Sequence, residues 1–325
     1  MFLRPELAAL DCDDLPQRRA QDRTYARFAA WRESAANTAW GASLERFGSG
    51  AELADCRALA ALFADDPAPA AALVDGLVAT GIAALASEPL GHVPLRHGGD
   101  AGQATLVPGQ AGDAALSLVA RSGAALAAAP QPGSASFSPS RQWLRVIAGS
   151  AEAARIVRST DGALTAQPLR LTPCTVLSRD ALEQALQFRA ISGTLVTLVL
   201  NRRDCRVDVA REYALADGSL VRQSACHPRD SRHELMAALL GRMERRDAAP
   251  TLAALAISQT AGRAAEPLRW QALREALTLD TRAGFAALSA LAETRGDPLA
   301  SAAQALRAQL VAAHPALEEL APCPA

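Results

Sequence analysis

The chain has 325 residues, 33 basic and 34 acidic, so it lacks the general positive field that gathers nucleic acid or acidic membranes. Every basic residue is arginine, which excludes lysine Schiff bases, lysine general bases and the phosphate-loop nucleotide site, whose motif requires lysine. Half of the residues are hydrophobic but only 4% are aromatic, and much of the remainder is alanine, which favours helix while burying little area.

Residues 16 to 47 read as helical with one or two breaks. Phe28 and Trp31 are three apart, and Trp40, Leu44 and Phe47 recur at i, i+4 and i+7, giving apolar stripes that serve as core contacts. Further helical stretches run from about Ala51 to Phe63 and from about Pro69 to Leu85. The windows around "AAALVDGLVATGIAALA" contain an aspartate and glycines, so no membrane span is expected. The start, "MFLRPELAALDCDD", lacks the pattern of a signal peptide. The six cysteines are widely separated and form no framework. Reduced thiols and a cytoplasmic location are expected.

The texture changes after Pro89. Short apolar runs, among them "ATLVPG", "ALSLVARSG", "SASFSPS" and "QWLRVIAG", alternate with Gly, Pro, Asp and Ser. Asp161-Gly162 and Asp217-Gly218 stand where hairpin turns belong, because glycine tolerates the positive φ of tight loops. "TLVTLVL" at 194–200 is apolar on both faces, as a central strand should be. From Cys205 to Val209 the alternation puts Cys205, Val207 and Val209 on the core face and Arg206 and Asp208 on the other.

The tail turns helical at "RDSRHELMAALLGRM", where Ser231 and Glu234 match a capping box and Met236, Leu240 and Met243 line one side. Helices follow at about 251–258, 268–279, 282–294 and 298–313. Asp297 and Pro298 read as cap and first turn of the last, and Leu299, Ala303, Leu306 and Leu310 as its buried stripe. The expected fold is α+β: a central antiparallel β-sandwich or jelly-roll barrel between helical segments. The divisions fall at 1–90, 91–226 and 227–325.

The span from about 151 to 200, where a strand, a turn and "LTPCTVLS" precede a late hydrophobic strand, resembles the second half of a cupin barrel. The resemblance implies a jelly-roll interior able to hold a small ligand, with iron or manganese where the family's metal motifs are kept. Here Cys174 and Thr175 replace the family's Gly-Asp, and no histidine lies between His97 and His227. His92 and His97 are five apart, whereas the first cupin motif pairs its histidines as HxH. A β-sandwich of another topology shows the same alternation.

Three clusters are candidate sites. His92 and His97, in "GHVPLRHGG", could give nitrogens to a divalent metal or contact a substrate, or be ordinary loop histidines. "CHPRDSRHE" places His227, Arg229 and Arg232 where a strand meets a helix, suiting an anion, although a junction tied by salt bridges has the same composition. A Cys226–His227 dyad is disfavoured because strand neighbours point to opposite faces. Arg206 and Asp208 could orient a polar ligand, or keep an edge strand soluble. The leading expectation is a binding protein for a small anionic or polar ligand, without catalysis or cofactor, with its helices available for a homodimer or protein partner. The alternatives are a metal-dependent oxygenase or isomerase using iron or another divalent metal at His92 and His97, and a scaffold or assembly factor. Nucleic acid is not an expected partner, since Tyr213 is the lone aromatic beside the arginines of "NRRDCRVDVAREY".

Overall fold

In a computed structural model, residues 13–204, 207–258 and 265–320 are described. They divide by contact into two compact units: the first takes the chain to Ala135 and resumes from Ser140 to Asp204, and the second takes Ser136–Pro139 and everything from Cys205 onward. This differs from the threefold division expected from the sequence. The N-terminal helices share a core with the sheet, and the last hairpin goes with the C-terminal helices.

The first unit begins with α1 (Leu15–Glu33), α2 (Ala35–Gly48), α3 (Arg57–Ala61) and α4 (Ala68–Ser87). Ser34, with ψ 146°, leaves the helical region and separates α1 from α2. Where one helix was expected from Ala51 to Phe63, a 3-10 turn at Leu53–Asp55 precedes the short α3. Helix α4 is long and apolar enough to cross a membrane by length and composition. Its Leu77 and Ala84 pack with Phe28 and Leu95, while Val78 and Ile82 are exposed.

The sheet of this unit contains β1 (Arg96–Gly99), β2 (Gln103–Ala111), β3 (Ala114–Ser122), β5 (Ser140–Arg158), β6 (Leu164–Leu171), β7 (Val176–Asp180) and β8 (Gln184–Arg203). Its order is β1-β2-β3-β8-β5-β6, with β7 also on β5, and the paired strands are antiparallel. A short helix, α5 (Gly123–Ala128), follows β3. Strand β8 is central, as the two-faced apolar run at 194–200 requires. Leu198 and Leu200 meet Trp40, Leu44, Phe47 and Leu59 of the helices in one core. The opposite face carries Leu195, which joins Leu144, Val146, Ala151, Leu171 and Leu177 in a second core.

Strands β5 and β8 run for 19 and 20 residues, and their pairing slips between Val146 and Ala148, between Ala148 and Ser150, and between Glu152 and Ala153. Such bulges bend and twist a strand, so each long strand contributes to two walls. Gly149, at φ 82°, lies in this bend, where a Cβ would meet Thr194 O at 2.2 Å. The Asp161-Gly162 turn forms as expected. The Ser159 amide donates to Ala163 O at 3.0 Å, and Gly162 takes φ 89°.

The second unit has a three-stranded sheet in the order β10-β9-β4, formed by β4 (Ser134–Phe137, of which Ser136 and Phe137 lie in this unit), β9 (Val209–Ala214) and β10 (Leu220–Ala225). Asp217-Gly218 turns β9 into β10, with Gly218 at φ 71°. Around this sheet stand α6 (Pro228–Arg242), α7 (Ala249–Ile257), α8 (Glu266–Leu279), α9 (Thr281–Glu293) and α10 (Ala300–Ala313). Phe285, Leu288, Leu291, Leu273 and Ala303 form their core. The protein is thus of the α+β class, with antiparallel sheet in the middle of the chain and helices at both ends.

Two expectations for the tail need correction, and the methionine side of α6 turns to solvent. The capping box does not form: Pro228, whose ring fixes φ, starts α6 early, His227 becomes the N-cap, and Glu234 instead accepts the Ala225 amide at 3.0 Å. Met236 and Met243 face outward, at 58% and 55% exposure, because α6 uses Ala237 as its buried contact. Asp297 lies before α10, which starts at Ala300, and its carboxylate binds Arg269. At the crossing of α8 and α9, a Cβ on Gly284 would lie 2.4 Å from the backbone N and Cα of Leu277. Gly284→Ala should therefore force the helices apart and cost about 1–3 kcal/mol. The readout is the urea midpoint, and an unchanged midpoint would show that α8 and α9 have room to separate.

Candidate functional site

The face of the first unit's sheet that carries the second core is set by strand parity. Val119 lies opposite Thr197, and Thr197 opposite Val146, a residue of the inner core. Arg121, two residues along β3, shares that face. Arg179 pairs with Gln142, two residues before Leu144, and Arg155 stands two beyond Ala153, so both also point inward. Arg121 and Arg155 lie close enough to Arg179 for their charges to act on it, so arginines from β3, β5 and β7 gather on this face.

Their contacts are with neutral groups. Arg121 Nη1 donates to Thr197 Oγ1 at 3.3 Å, and its guanidinium lies 4.7 Å from the centre of the Phe188 ring. Arg179 donates to the backbone carbonyl of Gln184 at 2.6 Å and to Gln142 Oε1. Arg155 Nε is buried with no hydrogen-bond partner. Among the described residues none of these arginines makes an ion pair, whereas Arg23, Arg202, Arg203 and Arg269 each have a carboxylate.

The electrostatic consequence is large. Burial pushes the Arg121 guanidinium below its ordinary value. Arg179 is lowered to about 10, first by desolvation and then by the charges of Arg121 and Arg155. Like charges held together away from water raise the energy of this cluster, and an anion beside it would lower it. Guanidinium groups present paired N–H donors that match carboxylate and phosphate oxygens.

The same donor set is unsuited to a divalent metal. A guanidinium has no lone pair to give and repels a cation. Among the described residues no group of three or more His, Cys, Asp or Glu side chains could hold a metal ion. His92 is exposed, with its backbone bonded to the Gln21 side chain, and His97 lies on the edge strand β1 with Nδ1 2.9 Å from Leu95 O.

The other sequence candidates belong to the second unit. His227 Nδ1 accepts the Arg229 amide at 3.3 Å, which occupies a helix donor that an anion would need. Arg232 donates to Pro228 O, and both Arg229 and Arg232 are exposed. Between them Asp230 is buried and accepts the Ala265 amide at 3.0 Å. Asp208 is exposed, and Arg206 and Cys205 lie outside the described residues. The junction residues thus do not converge on one point. Arg121, Arg155 and Arg179 escape a reading of the sequence because more than twenty residues separate each from the next.

No family model and no curated protein matches this chain. Among solved structures it is similar to CapF, a capsular polysaccharide assembling protein from Staphylococcus aureus, at 10% identity over 34% of this chain and 31% of that one, with TM-score 0.26. It is also similar to HutD from Pseudomonas fluorescens SBW25, at 16% identity over 34% of this chain and 57% of that one, with TM-score 0.25. A third is KdgF from Halomonas sp., at 12% identity over 34% of this chain and 89% of that one, with TM-score 0.25. The chain therefore spans about a third of CapF and somewhat over half of HutD. These neighbours have the cupin fold that the middle of the sequence resembles.

Proposed function

We propose that this protein binds a small, multiply charged anion, a di- or tricarboxylate or a phosphate ester, on the inward face of the sheet of its first unit. The observation that carries the reading is the set of Arg121, Arg155 and Arg179 on one inward face, none of them in an ion pair among the described residues. Phe188 and Thr197 support it by holding Arg121 in place. Arginine fixes anions and does not move protons near neutral pH, so the role is recognition without covalent chemistry.

The test is a thermal-shift and calorimetric titration with citrate and with inorganic phosphate, against chloride at matched ionic strength. At a hundredfold excess over Kd, a ligand specific to the folded state adds about 2.7 kcal/mol. For a domain of this size that is roughly 5–10 °C in melting temperature. Melting that follows ionic strength alone, with no heat of binding for either anion, would overturn the proposal.

A further inference from the structure

The second unit holds a cleft of about 810 Å³ lined in part by β10, whose outer edge pairs with no strand among the described residues. Strand β10 ends the sheet order β10-β9-β4. The Cys226 amide donates to Asp208 O at 2.8 Å, so amide directions alternate back along β10 and those of Ala225 and Gln223 point away from β9. Glu234 takes the Ala225 amide. By the same alternation the Gln223 amide and its own carbonyl lie on the outer edge of β10, and Gln223 is among the residues that line the cleft.

Native proteins normally blunt such an edge with proline, lysine or a covering element. Here the edge reads "LVRQSA", and Leu220 and Val221 are exposed. Helices α6 and α8 stand as the cleft's walls, contributing Glu234, Trp270 and Arg274. A six-residue strand spans about 20 Å, enough for an added strand of four to six residues.

Charge selects the occupant. Arg211, Arg222 and Arg274 line the cleft and make no ion pair among the described residues. Of the acidic lining residues, Glu212 already has a partner and Glu234 is engaged with Ala225, leaving Glu266 against three arginines. Trp270 offers a flat apolar surface for one side chain of the occupant.

We propose that this cleft binds an extended acidic peptide segment, which adds as a strand to the free edge of β10 and sets its carboxylates against Arg211, Arg222 and Arg274. The probe is the fluorescein-labelled peptide Ac-VEVTVE-NH2, followed by fluorescence anisotropy on the full chain. Two altered peptides discriminate: VKVTVK, with reversed charge, and VEVTVE carrying N-methyl groups at alternate amides, which cannot pair with a strand edge. Each should bind at least about tenfold more weakly, a difference of about 1.4 kcal/mol. Arg222→Glu combined with Arg274→Glu should reverse the preference toward VKVTVK without altering the response to citrate. The proposal fails if VEVTVE does not bind, or if the N-methylated or basic peptide binds equally well. The peptide comparisons use the unaltered protein, so they stand even if the double variant does not fold.

Discussion

Replacing Arg179 by methionine should raise the stability of the ligand-free protein and remove most of its response to citrate. The two effects share one cause. The Arg179 guanidinium is desolvated and repelled by Arg121 and Arg155, and its hydrogen bonds go to neutral oxygens. Methionine keeps the aliphatic stem and discards the uncompensated charge. Because Arg179 is only half-buried, solvent screening reduces the gain to on the order of 1 kcal/mol. Gains of that kind at the expense of function mark strained binding sites.

The pH dependence has a defined sign. Burial and its neighbours lower Arg179 to about 10 in the folded protein, below the ordinary guanidinium value, so between the two the unfolded chain holds the extra proton. This group's contribution therefore makes stability rise as pH climbs through that window, while anion binding weakens because the charge is lost. The difference between wild type and Arg179→Met, measured by chemical denaturation from pH 8 to 11, isolates it. A variant less stable than wild type at pH 8, or one that keeps its full response to citrate, would show the arginine to be structural.

Asp297→Ala should cause the largest single loss of stability in the second unit. The Arg269 and Asp297 side chains are 7% and 2% exposed and form a two-pronged pair at 3.2 and 2.6 Å. Arg269 Nε also donates to Ala256 O, and Asp297 Oδ1 accepts the Leu299 amide. One ion pair thus ties α7, α8 and the entry to α10. Truncating the aspartate leaves a buried cation unpaired and costs about 3–5 kcal/mol. The double variant Arg269→Met/Asp297→Leu should recover most of that loss, since no charge remains to be desolvated. A denaturation midpoint for Asp297→Ala equal to that of wild type would refute this role.

Periodicity exposed much of the architecture. Trp40, Leu44 and Phe47 are buried as their spacing demands, the Asp-Gly pairs turn both expected hairpins, and 194–200 is a central strand. Cap positions were less legible, since Pro228 at the start of α6 outweighed the Ser231–Glu234 pattern. The division of the chain was also hidden, because it depends on which faces share a core. Leu198 and Leu200 belong with helices that precede them by more than a hundred residues. The arginine cluster was the least legible feature. Each member sits in a strand whose alternation is ordinary, and only the folded sheet brings them within electrostatic reach.

The long pairing of β5 with β8 has a consequence for synthesis. Ser140 lies opposite Arg203, and β3 finds its second neighbour in the same strand, so neither can complete its ladder until about residue 203 has left the ribosome. Until then Trp40, Leu44, Phe47 and Leu116 lack the leucines that close their core. Contacts this distant along the chain slow folding and lengthen the interval in which nascent apolar surface invites chaperones or aggregation. A fragment stopped near residue 90 should carry that liability permanently, and would be a poor choice for producing the N-terminal helices alone.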